Sequence, residues 1–145
     1  MATLTIRQAT PDDARAFARM LDLFDRQGAT PAQVAARMRA CEIALTTWFG
    51  ELDGQPVGFA CLRLVPHVQG DEPYAELTDL YVDAPMRRRG VASALIAQVE
   101  AAALAVGARE LMILTSLDNA VAQATYRASG YNDGAVAMQK RLPTA

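Results

Sequence analysis

Asp53-Gly54 constrains this chain more than any other pair of residues. Both positions enter left-handed backbone easily, as a type I′ turn requires. The partly alternating apolar runs on either side, Ile43 to Leu52 and Gln55 to Val65, supply the two strands of a hairpin. A chain built around such a hairpin has an antiparallel sheet at its centre. Before it, Leu4 to Gln8 alternates as a short strand. Thr10-Pro11-Asp12-Asp13 then opens a helix, an N-cap followed by proline and two acids, with Ala14, Phe17, Ala18, Leu21 and Phe24 on one side and Gly28 at its end. Thr30-Pro31 repeats the opening for a second helix through Ala40, with Val34 and Met38 on one face.

After a polar loop, Pro66 to Pro73, the residues Tyr74 to Asp83 predict a further strand through Leu77, Leu80 and Val82. A helix follows from near Arg88, burying Val91, Leu95, Ile96, Val99, Ala103 and Val106 and stopping at Gly107. Leu111 to Leu114 is a fully apolar run, expected as a central strand. Asp118 or Asn119 caps a last helix through Ala128, Gly130 ends it, and Ala135 to Leu142 is expected as a closing strand. The order is β-α-α-β-β-β-α-β-α-β. It predicts an α/β (α+β) mixed sheet, mostly antiparallel, with about four helices against it and one right-handed βαβ crossover through the Arg88 helix.

Length and charge narrow the function. The 145 residues suit one domain spanning 1–145, and 52% hydrophobic with 21% charged residues is a folding composition. No run approaches the roughly 18 apolar residues of a membrane span, and Met1 to Arg7 lacks the pattern of a secretion signal, so a cytoplasmic protein is expected. Cys41 and Cys61 form no CxxC pair and His67 is the single histidine, which argues against a zinc site; both cysteines are expected as small buried hydrophobes. The net charge is -2, yet Arg87, Arg88 and Arg89 are consecutive. Without them 11 basic and 16 acidic residues would give -5. A cationic spot on an acidic body suits a small anionic ligand rather than a nucleic acid. Neither a Gly-Lys-Ser/Thr phosphate loop nor GxGxxG occurs, and a Ser-His-Asp site would have to be built on His67.

The spot lies where a strand turns into a helix, in Val82-Asp83-Ala84-Pro85-Met86-Arg87-Arg88-Arg89-Gly90-Val91-Ala92-Ser93. A helix N-terminus presents unpaired N–H groups and the positive end of its dipole, and Gly90 and Ala92 let a ligand approach the backbone. By spacing alone the segment reads equally well as a solvated turn. The pattern Arg87-x-x-Gly90-x-Ala92, however, resembles the acyl-CoA pyrophosphate loop of the GCN5-related N-acetyltransferase (GNAT) family. Asn119-x-x-Ala122-x-x-Thr125-Tyr126-x-x-x-Gly130-Tyr131 is similar to that family's later helix, and Met138-Gln139-Lys140-Arg141-Leu142 to its ending. The departures are Ala92 for a second glycine, Thr125 for a usual Leu or Phe, and Tyr131 for Phe.

The resemblance implies a single-domain acetyltransferase with acetyl-CoA as co-substrate, no metal, and a primary amine of a small molecule or peptide as acceptor. It implies that N–H groups of Arg88, Arg89, Gly90, Val91, Ala92 and Ser93 hold the pyrophosphate beside Arg87. It also implies that Leu80, Tyr81 and Val82 pair with pantetheine, that Asn119 contacts the same arm, and that Tyr126 faces the sulfur as acid or hydrogen-bond donor. The backbone N–H near Leu80 is an oxyanion donor in this picture. Glu76 is the candidate base, directly or through water. Asp79 points to the other face of a regular strand and competes only if a bulge re-aims it. Asp22, Asp25, Asp71, Glu72 and Glu76 are expected to line one mouth and attract a cation. The alternatives are a non-catalytic acyl-CoA-binding module and a tRNA-acetylating toxin, the latter disfavoured by a pI near 5.3. No nucleic-acid or membrane partner is expected. A homodimer is left open, since an exposed final strand often pairs between subunits of this family.

Overall fold

The computed structural model describes residues 1–26 and 28–144. They form two compact units, Met1–Ile113 and Leu114–Ala145. The first unit is a five-stranded sheet, β1 (Leu4–Gln8), β2 (Leu45–Leu52), β3 (Gln55–Val65), β4 (Tyr74–Val82) and β5 (Met112–Ile113), with the strands side by side in chain order. The first four are antiparallel to their neighbours, and β4 and β5 are parallel. Helices α1 (Ala14–Asp25), α2 (Pro31–Cys41) and α3 (Val91–Ala105) complete it.

Local signals account for most of these elements. Asp53 (φ 50°) and Gly54 (φ 77°) both adopt the left-handed backbone of the expected turn. At α2, Thr30 Oγ1 accepts from the Gln33 N–H at 3.2 Å while Gln33 Oε1 accepts from the Thr30 N–H at 2.9 Å, a reciprocal cap. Pro11–Asp13 is a 3-10 turn leading into α1, and the left-handed residue that ends α1 is Arg26 (φ 51°), ahead of Gly28.

The two faces of the sheet are built differently. Phe49 and Phe59 are cross-strand partners on one face, where Phe17 of α1 meets them edge-on at 5.6 and 5.0 Å. The next pair, Gly50 and Gly58, faces the other way, and there α3 lies close. A Cβ on Gly50 would sit 2.7 Å from Val91 Cγ1, and one on Gly58 would sit 2.6 Å from the Tyr81 carbonyl oxygen. Two glycines thus let the first residue of α3 seat directly on the sheet.

The second unit carries α4 (Ala120–Ala128), capped by Asn119. Two expectations need correction here. Leu111 to Leu114 contributes only Met112 and Ile113 to a strand, and Ala135 to Leu142 forms none. Val136, Met138 and Leu142 are all exposed. Alternation marks which side chains share a face, but a strand also needs a ladder partner, and these residues have none among those described. The final strand on which the open question of a homodimer turned is therefore not formed.

Candidate active site

The site is organised by one extra residue in β4. Along β3 and β4, Phe59 pairs with Tyr81, Ala60 with Leu80 and Cys61 with Asp79, but Leu62 then pairs with Leu77 and Arg63 with Glu76. Thr78 is skipped, a β-bulge. Because Phe59, Cys61 and Arg63 alternate along β3 they share a face, and so do their partners Tyr81, Asp79 and Glu76. In a regular strand Glu76 and Asp79 would point apart. The bulge that makes Asp79 a competitor for the base is present.

The two carboxylates have different surroundings. Glu76 is 6% exposed, and its Oε2 accepts from Arg63 Nη2 at 2.5 Å and from the Tyr74 hydroxyl at 3.0 Å. The Arg63 guanidinium also stands 5.7 Å from the centre of the Tyr74 ring. Burial, and then the hydrogen bond to Glu76 and its charge, push the Tyr74 phenol above its ordinary pKa. Asp79 is half-buried, with no hydrogen bond or ion pair among the described residues. It lines a cavity of about 280 Å³ between α1, α2 and the sheet, together with Asp22 and Asp25 from the end of α1 and Arg37 from α2.

Asp71 and Glu72, expected at the same mouth, lie elsewhere: Asp71 lines a separate hollow with His67, and Glu72 pairs with Arg109 at 2.9 Å. Loop acids follow the loop's own course, which their charge does not encode. Of the two cysteines only Cys61 is buried. Burial pushes its thiol up to about 12, with the Asp79 charge adding to the effect, so it is no nucleophile; Cys41 is exposed.

Beyond Leu77, β4 has no ladder partner on its β5 side among the described residues, because β5 pairs only as Glu76 with Met112 and Leu77 with Ile113. Leu80, Tyr81 and Val82 lie on this open edge. A short 3-10 turn, Ala84–Met86, then leads to the arginines. Arg19 of α1 tethers its start, reaching Asp83 at 3.1 Å and the Pro56 carbonyl at 2.9 Å. Burial and the neighbouring Asp83 raise the Tyr81 phenol.

Arg87 turns back so that its Nε donates to the Val82 carbonyl at 3.0 Å, while Arg88 and Arg89 make no hydrogen bond or ion pair among the described residues. Arg88 (φ 61°) and Gly90 (φ 82°) are both left-handed, and α3 begins at Val91, slightly later than the sequence predicts. No side chain caps it, and the space in front of Gly90 is open. An uncapped N-terminus with exposed guanidinium groups beside it fits a pyrophosphate, and an unpaired strand edge fits an amide-bearing arm such as pantetheine.

In the second unit Asn119 Oδ1 accepts from the Ala122 N–H at 3.1 Å, so this side chain is the cap of α4. Tyr126 is half-buried, its ring 6.3 Å from that of Tyr131. Among the described residues no three His, Cys, Asp or Glu side chains converge as metal ligands would, and no helix is long and apolar enough to cross a membrane. Sequence reasoning missed Arg63, Tyr74 and the Gly50–Gly58 pair; the one signal for the last was glycine inside two apolar strand runs.

The acetyltransferase (GNAT) family model matches residues 14–131. An aminoglycoside N(6')-acetyltransferase type 1 from Stenotrophomonas maltophilia is 34% identical over 96% of this chain and 93% of its own. Among solved structures, aminoglycoside N-acetyltransferase AAC(6')-Iy in complex with CoA superposes with a TM-score of 0.86 at 22% identity, covering 99% of this chain and 97% of that one. A ribosomal-protein-alanine N-acetyltransferase from Brucella melitensis gives 0.84 at 18%, covering 97% and 99%. These structures share this chain's fold while their names differ in the acceptor, so the fold alone does not name one. The chain belongs to the acetyltransferase (GNAT) family. It is an N-acetyltransferase, and acetyl-CoA is its co-substrate.

Proposed function

We propose that this enzyme acetylates the primary amine of a cationic acceptor, a small molecule or a peptide, held in the cavity beside Asp79. The register shift at Thr78 is the observation that carries this reading, because it turns a carboxylate without a partner toward a cavity lined by two further acids. The amine acceptor named for the Stenotrophomonas relative supports it. Acetyl-CoA supplies an acyl carbonyl activated by a thiol leaving group. An alkylammonium has a pKa of about 10, so it must lose a proton before it attacks, and Asp79 takes that proton directly or through water. Glu76, the base expected from the sequence, has one oxygen committed to Arg63 and Tyr74 and acts as the second acid on the face.

In this reading the N–H groups of Arg88 to Ser93 and the positive end of α3 hold the pyrophosphate, aided by Arg88 and Arg89, while Arg87 holds the loop. Leu80, Tyr81 and Val82 pair with pantetheine, Asn119 contacts the same arm, and the Tyr126 hydroxyl hydrogen-bonds the sulfur. The two units act as one cytoplasmic acetyltransferase domain, 1–145, with neither nucleic acid nor membrane as partner; the family match across both units supports the single domain. The test is the pH dependence of two variants. Asp79→Asn lowers kcat/KM by a factor on the order of 10²–10⁴ and flattens the acidic limb, and Glu76→Gln does less. The reverse ranking, with melting temperatures unchanged, returns the role to Glu76.

A further inference from the structure

The walls of the Asp79 cavity are aromatic and aliphatic. Phe17 and Phe59 meet edge-on with centroids 5.0 Å apart, and Phe24, 44% exposed at the end of α1, stands perpendicular to Phe59 at 5.8 Å. Val34 and Met38 of α2 continue the apolar lining. The polar groups there are largely committed: the Thr47 hydroxyl lies 3.3 Å from Cys61 Sγ, and Asp22 Oδ1 accepts from the Gly28 N–H at 3.1 Å. Asp79 is the acid of the lining without a partner among the described residues. A volume of about 280 Å³ falls just below the ~300–1,000 Å³ typical of drug-sized ligands.

We infer that the acceptor carries its reacting amine on an aryl or branched alkyl body, which fills this apolar-walled cavity while its ammonium pairs with Asp79. The inference rests on the acetyl-transfer reading above and narrows its acceptor. The hydroxyls of an aminosugar brought against Leu21, Phe24 and Met38 would lose water without a partner on that wall. An arene there buries its apolar surface against Leu21, Phe24 and Met38.

The experiment measures thiol release from acetyl-CoA with 2-phenylethylamine, 3-methylbutylamine, glucosamine and kanamycin, on the native chain and on Phe24→Ala. The two apolar amines are expected to show kcat/KM at least tenfold above the aminosugars. Phe24→Ala is expected to raise the KM for 2-phenylethylamine about tenfold while the KM for acetyl-CoA stays unchanged, which separates a lost acceptor contact from the stability lost with the Phe59 and Tyr81 ring contacts. Aminosugars turned over faster than both apolar amines, or a KM untouched by Phe24→Ala, would overturn the inference and leave acetyl transfer standing. No turnover of any of the four, with acetyl-CoA still binding by calorimetry, would overturn the inference, and the acetyl-transfer reading falls with it only if a lysine-bearing peptide also stays unacetylated.

Discussion

Gly58→Ala is a substitution of one methyl group with two separable consequences. The new Cβ would lie 2.6 Å from the Tyr81 carbonyl oxygen, 3.2 Å from Val82 Cγ2 and 3.3 Å from Val91 Cγ1. Carbon and carbonyl oxygen settle at about 3.3–3.6 Å, so β3 and β4 must part by roughly 0.7 Å or more, and the obstructing atom is backbone that no rotamer change can clear. Forced overpacking costs about 1–3 kcal/mol, and the lower entropy of the unfolded alanine chain offsets about 0.4–1 kcal/mol of that. A net loss near 1–2 kcal/mol shifts a chain of this size by roughly 2–8 °C in Tm. The displaced atoms are the open end of β4 and the first residue of α3, which in the proposed site hold pantetheine and pyrophosphate. The KM for acetyl-CoA should therefore rise several-fold, while Gly54→Ala, at a turn with nothing within 4 Å, loses stability without changing it. Thermal unfolding and acetyl-CoA titration of both variants decide the matter. A Gly58→Ala protein with native Tm and native KM would refute the close-approach argument.

Gly90→Asp places a side chain and a negative charge in the open space before α3, and acetyl-CoA affinity should fall at least tenfold, about 1.4 kcal/mol; an unchanged titration removes the loop from the site. Tyr126→Phe keeps the ring and deletes the hydroxyl, so kcat and kcat/KM should drop together by roughly 10²-fold if that oxygen serves the departing sulfur. Full activity reduces the residue to packing, and a lower Tm marks the hydroxyl as structural. Hydrogen bonds from Arg7 hold the Asp13 carboxyl below its ordinary 3.8, so the stability this group contributes is present above that value and lost as pH falls through the lower folded one. Asp13→Asn should consequently lose less stability than the native chain between pH 5 and pH 2, measured by urea unfolding; parallel losses would deny the linkage.

Elements that depend on near neighbours were legible in the sequence. Asp53-Gly54, the Thr30–Gln33 cap, the Asn119 cap and the Arg87-x-x-Gly90 turn each act within a few residues, where backbone preference and a side chain's reach suffice to decide the conformation. The fold class followed, since an antiparallel hairpin and a strand-helix-strand unit leave few ways to cover the remaining apolar faces. The closing strand was not legible, because Val136 and Met138 show alternation but not whether a partner edge exists.

The tertiary structure alone decided the surroundings of the two carboxylates. Residues 76 to 79 read identically with or without a bulge, and the skipped Thr78 exists only against the register of β3, which is set by packing on both faces at once. That one-residue slip turned Asp79 toward the cavity, and Arg63, thirteen positions from Glu76 in sequence, engaged the acid that sequence alone favours. The cavity likewise needed α1, α2 and three strands to bring Phe24, Arg37 and Asp79 together. Local sequence determines backbone conformation because its energies are short-ranged, whereas a carboxylate's partners are fixed by contacts between segments far apart in the chain.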